Sequence, residues 1–379
     1  MNALSQFEGK FRFANSIEIE ILNENDALFL QLGGLDKKFK TPLIKQSNGK
    51  YRTGMKKSEI HFSPPRNGKS EILYFDGIPN YRPDPEDGPP APFLFKPVID
   101  LTPQKISDFE VLLENAHSSK GLIEYNLKYP KYELLQYLAL EKNAIFHGSP
   151  NCVISEFQPL RKTLDSNIHG NVKATYATID PIWPLFFAIL DRDSFSFRII
   201  NGVEKFIFPD NSFQILYFFA IGKEFISPKI FTNGMIYIFD RSLFSISGGG
   251  EPEEAEWVCN KKVKSFLRLP IIPSDFPFIS QIHPHQITKQ QLYLQKLYPY
   301  IFQSNDELIE LDDGIKLHYP WNDNQLLNIS HYISLQKKFF TWMRFTVHID
   351  PNEGIWLTLS GNPLIKSMVI DIMNKLKEN

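Results

Sequence analysis

Cysteine is almost absent from this sequence: Cys152 and Cys259 are the only two in 379 residues. They are too few for a disulfide scaffold or a four-thiolate zinc site, and two free thiols fit a reducing compartment. No apolar run is long enough to cross a bilayer. The opening MNALSQFEGKFRF lacks a basic stretch followed by an apolar segment and a small-residue cleavage site. The expectation is a cytoplasmic protein with no membrane partner. An excess of charge of one sign is missing too: 41 Lys+Arg against 43 Asp+Glu leave a net −2. No global positive field therefore draws the chain to nucleic acid or anionic lipid. Nor is there a phosphate loop, because Gly248-Gly249-Gly250 is not followed by Lys-Ser or Lys-Thr at the required spacing.

What remains is a globular composition, 42% hydrophobic and 22% charged, at a length that predicts two or three domains. The 32 Phe and 15 Tyr point to large aromatic cores. From Phe7 to Phe75, short alternating runs such as SIEIEIL and ALFLQL are divided by Gly33-Gly34, Asn48-Gly49 and Asn67-Gly68. This predicts a small antiparallel β barrel over 1–78, with Ile17, Ile19 and Ile21 inward and Glu18 and Glu20 in water. In FEGKFRF and EIHFSPPRNGKSEILYFDG the stretch resembles the small lipocalin-like β domain of serine β-lactamase-related proteins. Their Ser-x-x-Lys motif belongs to a different domain that is absent here, so the resemblance implies an accessory or binding role. The closely spaced prolines after it predict a linker over 79–100.

Helices are expected over Ser107 to Asn115, Tyr132 to Lys142 and Asp180 to Leu190, with strands AIFHGS, KATYAT, QILYFFAI, MIYIFD and WVCNKKVKSFLRLPI. Together they form a mixed domain over 101–280. A C-terminal α+β segment, 281–379, reads as helices around Thr288 to Leu297 and Trp321 to Lys337, a hairpin of FFTWMRFTVHI with EGIWLTLSG, and a final helix from Pro363 to Lys377. The fold class is α+β.

Three segments carry the chemistry in order: IFHGSP with His147, KATYATIDPIWPLFFAILDR with Tyr176, and EPEEAEWV with Glu254 and Glu256. Here the chain resembles the His-Tyr-Glu branch of the ADP-ribosyltransferase superfamily. Over Tyr132 to Phe278 it is similar to uncharacterised bacterial ADP-ribosyltransferase-like proteins. The resemblance implies a split β-sheet domain with flanking helices and NAD as substrate. It further implies that His147 bonds the adenosine ribose and that the Gly148 backbone holds the nicotinamide amide at close approach, with Ser149 adding a hydroxyl. Tyr176 and Phe187 would stack on nicotinamide, Phe186 entering the core instead. The resemblance places the catalytic carboxylate at the start of a strand, which favours Glu256; Glu254 would present the same face if the strand started sooner. Cleaving the nicotinamide–ribose bond develops an oxocarbenium cation, and a His, an aromatic and a carboxylate supply the positioning and negative charge it needs.

Two functions follow. One is glycosyl transfer of ADP-ribose from NAD to an acceptor the sequence does not identify, or to water. The other is a non-catalytic NAD-binding or protein-interaction module on the same fold. His283 and His285 in HPHQ lack partner ligands and read as a solvated loop, so no metal is assigned. Cys152 is not assigned as a nucleophile by its nearness in sequence to His147. Lys261, Lys262, Lys264 and Arg268 read as the exposed side of a strand.

Overall fold

Alternating residues in the first part of the chain close into a barrel. The computed structural model describes residues 4–13, 17–54, 58–83, 88–160, 171–192, 199–247, 251–286, 289–350 and 352–377. Eight antiparallel strands, β1 (Gly9–Phe13), β2 (Ile17–Glu24), β3 (Ala27–Leu32), β4 (Lys40–Lys45), β5 (Tyr51–Thr53), β6 (Glu59–Phe62), β7 (Ile72–Phe75) and β8 (Ile78–Tyr81), pair in sequence order, and β1 pairs with β8. Phe11, Ile19, Ile21, Leu30, Ile60 and Leu73 fill the interior. The barrel passes the expected boundary at 78 because β8 is the strand that closes it. Glu18 also departs from expectation: it is buried, not solvated. Arg12, directly opposite it, and Lys10 each reach its carboxylate at 2.8 Å. A Cβ at Gly33 would lie 2.7 Å from Glu18 Cβ, so that glycine makes room for the pair.

The proline-rich stretch is more than a linker. Arg12 donates to the Gly88 carbonyl, Phe93 enters the barrel core, and β9 (Leu94–Phe95) joins a sheet of the next unit. There, α1 (Pro103–Ser118) starts at Thr102, whose hydroxyl accepts from Lys105 N. It is followed by α2 (Lys131–Glu141), β10 (Ala144–Ser149), β11 (Thr175–Ala177), α3 (Trp183–Ala188), β12 (Ile199–Ile207), β13 (Phe213–Gly222), β14 (Gly234–Asp240), β15 (Ser245–Ile246), β16 (Trp257–Cys259), β17 (Leu267–Ile271) and β18 (His283–His285). Three sheets result, ordered β10-β14-β17, β11-β16-β15 and β12-β13-β18. β13 is buried on both faces. Leu216 and Phe218 pack into the barrel core, while Ile215, Tyr217, Phe219 and Ile221 pack into the core beneath α1 to α3.

Two expectations fail here. WVCNKKVKSFLRLPI is two strands in different sheets, and Lys261, Lys262 and Lys264 lie in the connection between them. HPHQ is not a solvated loop: β18 pairs in parallel with β13, burying His285, so this unit extends past 280. The run 248–250 and Thr288 lie outside the described residues.

The last unit has α4 (Lys289–Phe302), β19 (Glu307–Leu311), β20 (Gly314–Tyr319), α5 (Asp323–Gln336), β21 (Arg344–Asp350), β22 (Gly354–Ser360) and α6 (Leu364–Lys377). Its antiparallel sheet, β19-β20-β22-β21, shares a core with the three helices through Ile315, Leu317, Leu357, Leu297, Ile329 and Ile365. Among the described residues, no helix is long and apolar enough to cross a membrane.

His318 on β20 faces two acceptors, Asp306 Oδ1 at 2.5 Å and the Glu353 carbonyl. The carbonyl, then Asp306, raise its pKa above the ordinary imidazole value. The clamp stabilises this unit fully below the unfolded-state pKa of about 6.5 and loses that contribution as pH rises through the raised folded value. Thermal unfolding should therefore separate wild type from His318→Gln most widely below the ordinary imidazole pKa, with the gap narrowing as pH rises through the raised folded value. A gap that does not change with pH would sink this reading.

Candidate functional site

β10 is the strand on which the site is built. On one side it pairs with β14 along its whole length; on the other it meets β11 only at the isolated bridge Phe146↔Thr178. Phe146 N donates to Thr178 O and Thr178 N to Phe146 O, both at 2.9 Å. Beyond this bridge the two strands part. Backbone polar groups point to alternate sides along an antiparallel strand. Two residues on, the Tyr176 carbonyl therefore faces the gap from β11, and the Gly148 N–H and C=O face it from β10.

The His147 ring enters this gap. Its Nδ1–H donates to the Tyr176 carbonyl at 2.6 Å. A carbonyl only accepts, so the bond fixes the proton on Nδ1 and leaves Nε2 as an acceptor in the neutral ring. Burial, against the pull of the Tyr176 carbonyl, pushes the imidazole pKa down to about 4, and Arg192 adds to the lowering. The ring is thus neutral near pH 7. Phe157 packs edge-on against it, with centroids 4.9 Å apart.

Tyr176 is fixed at both ends. Its hydroxyl donates to Val172 O at 2.7 Å and accepts from Val172 N at 3.0 Å. After it, Asp180 Oδ1 accepts from Ile182 N and Trp183 N and so starts α3. This short helix lies directly on the sheet. A Cβ at Gly148 would stand 1.8 Å from Pro184 O, and one at Gly234 would stand 1.9 Å from Ala188 O. Beside the ligand approach expected of it, Gly148 seats α3 through its missing side chain, and its backbone edge faces the gap. Ser149 is buried, and its hydroxyl accepts from Asn151 N at 3.2 Å.

Along α3, Phe186 is fully buried against Phe219 and Phe276. Phe187 is half-buried, and the Arg192 guanidinium lies 5.2 Å from its ring centre. Sequence reasoning missed Arg192, although ILDR ends the very segment that carries Tyr176 and Phe187.

The two carboxylates separate. β16 starts at Trp257 and pairs with β11 as Tyr176↔Val258 and Ala177↔Trp257. Ser247 N donates to Glu256 O, carrying the β15–β16 ladder back to Glu256. Continuing the β11 register sets Glu256 opposite Thr178, and alternation puts its side chain on the face of Tyr176 and Val258. The strand does not start early enough for Glu254 to share that face. Glu254 lies in the preceding turn, where its carboxylate accepts from Lys205 N at 2.7 Å, while Lys205 Nζ contacts Glu251 and Glu253 at 3.1 Å each. Glu254 therefore clamps this turn to β12. Among the described residues, no group of three or more His, Cys, Asp or Glu is placed to hold a metal. No protein-family model, curated protein or solved structure matches the chain.

Proposed function

We propose that the unit spanning α1 to β18 is an ADP-ribosyltransferase-like domain that binds NAD at the gap between β10 and β11 and cleaves its nicotinamide–ribose bond. The observation that carries this reading is the His147 Nδ1–Tyr176 carbonyl bond beside the backbone edge that Gly148 turns to the same side. It supports the reading because each group has a complement in the dinucleotide. The bare Nε2 accepts a ribose hydroxyl. The Gly148 N–H and C=O, a donor beside an acceptor, match the two halves of a carboxamide. Tyr176 and Phe187 offer rings for the nicotinamide faces.

Glu256 supplies negative charge to the ribose as the glycosidic C–N bond breaks. Nicotinamide leaves with the bonding pair, the acceptor's nucleophile forms the new bond to the anomeric carbon, and the acceptor's proton passes to solvent. The acceptor is a protein side chain, a nucleic acid base, a small molecule or water.

The test is nicotinamide release from NAD, followed by chromatography, with an NAD titration alongside. Wild type should release nicotinamide, and His147→Ala should lose at least about tenfold in kcat/KM. Binding without release would favour the non-catalytic NAD-binding module. Neither binding nor release at millimolar NAD would overturn the reading.

A further inference from the structure

The C-terminal unit touches the segment that holds Tyr176. Asn362, between β22 and α6, donates from Nδ2 to the carbonyl of the buried Asn171 at 3.2 Å. The next residue, Val172, is the one whose N–H and C=O both bond the Tyr176 hydroxyl. Asn362 is itself held firmly. Its N–H and that of Gly361 donate to Asp313 O at 3.0 Å each, and its Oδ1 accepts from Leu364 N at 2.9 Å at the start of α6. A fixed donor on one unit therefore pins a backbone segment of another, and that segment fixes the ring of Tyr176, the residue whose carbonyl faces the gap. His147 completes the chain from the other side through the Tyr176 carbonyl.

We propose that Asn362 is a positioning residue for the candidate site, so that the C-terminal unit completes the wall carrying Tyr176. The pinning of Val172 stands on the hydrogen bonds alone; its consequence for nucleotide binding rests on the NAD reading above. The contact is selective in a way that substitutions can separate. Aspartate keeps the oxygen that caps α6 but has no N–H for Asn171, whereas alanine removes both.

The experiment compares backbone amide exchange in full-length wild type, Asn362→Asp, Asn362→Ala and Tyr176→Phe. In Asn362→Asp, the Val172 amide should exchange about three- to tenfold faster, the equivalent of one ordinary hydrogen bond. The α6 amides should be unchanged. Asn362→Ala should loosen both, and Tyr176→Phe should free the Val172 amide with Asn362 intact. An unchanged Val172 amide in Asn362→Asp overturns the proposal.

NAD titration of the same proteins then reads the consequence. Dissociation constants should rise several-fold in Asn362→Asp, and the Asn362→Asp/Tyr176→Phe pair should be no weaker than Tyr176→Phe alone. Faster exchange with no NAD binding by wild type would sink the NAD reading and leave the positioning role standing. NAD binding by wild type with unchanged exchange would do the reverse.

Discussion

Asp180→Ala is expected to lower the unfolding free energy by about 3–5 kcal/mol, the usual cost of removing one member of a buried charged pair. The carboxylate is 1% exposed and has four partners: Ile182 N, Trp183 N, the Tyr217 hydroxyl at 2.6 Å and Lys96 Nζ at 3.8 Å. Truncation takes the shared acceptor from the two α3 N–H groups and the Tyr217 hydroxyl, while Lys96 keeps its bond to Gln136 at 2.9 Å. Tyr217 stays a proton donor because burial and the neighbouring carboxylate push its pKa up, so its O–H would be left buried and unpaired. Lys96 is already held below the usual ammonium range by burial, with Asp180 opposing that shift; without Asp180 it would lose its nearby counter-charge. Asp180→Asn keeps an acceptor for α3 and should cost less. Urea unfolding checks both variants, and an unchanged midpoint for Asp180→Ala would refute the account.

Glu256→Gln is expected to reduce nicotinamide release by about a hundred- to a thousandfold, the scale on which a group aimed at transition-state charge acts. NAD affinity should stay near wild type, since glutamine keeps the shape and a hydrogen-bonding oxygen while losing the charge. The effect belongs in kcat, with little change in the dissociation constant. Glu254→Gln supplies the comparison. Its oxygen can still accept from Lys205 N, so turnover should hardly move. Equal losses in the two variants would mean that the assignment of roles to the acidic turn is wrong.

The barrel strands are legible because one face of each is buried, so that alternation in segments such as ALFLQL reports directly on burial. Glu18 escapes that logic because its burial depends on Arg12, Lys10 and the space at Gly33, all off its own strand. β12 is hard to read in the sequence for a related reason. Asn201, Gly202, Glu204 and Lys205 interrupt its apolar run, yet Gly202 sits opposite Phe218 and gives that ring its space. The β19–β20 hairpin is absent from the strands expected above, although Asp312-Asp313-Gly314 between two alternating runs is a turn signal. At the candidate site, order and context single out His147 and Tyr176, which one hydrogen bond joins in the fold, while Glu256 is chosen by its place at the start of β16. The carbonyl that fixes the His147 tautomer, the seating of α3 on Gly148 and the reach of Asn362 to Asn171 are not legible in the sequence, because each joins residues far apart in the chain.

β13 bears on how this protein could have been assembled. A module that can be added or discarded meets its neighbour through a surface that stays soluble when the two are parted. Here the lining of one compartment is the reverse side of the lining of the other, with Leu216 and Phe218 on one side and Tyr217 and Phe219 on the other. Cutting away the first eighty or so residues would turn an inner wall into an oily outer one. The barrel is therefore no passenger: its removal would need a rewritten β13.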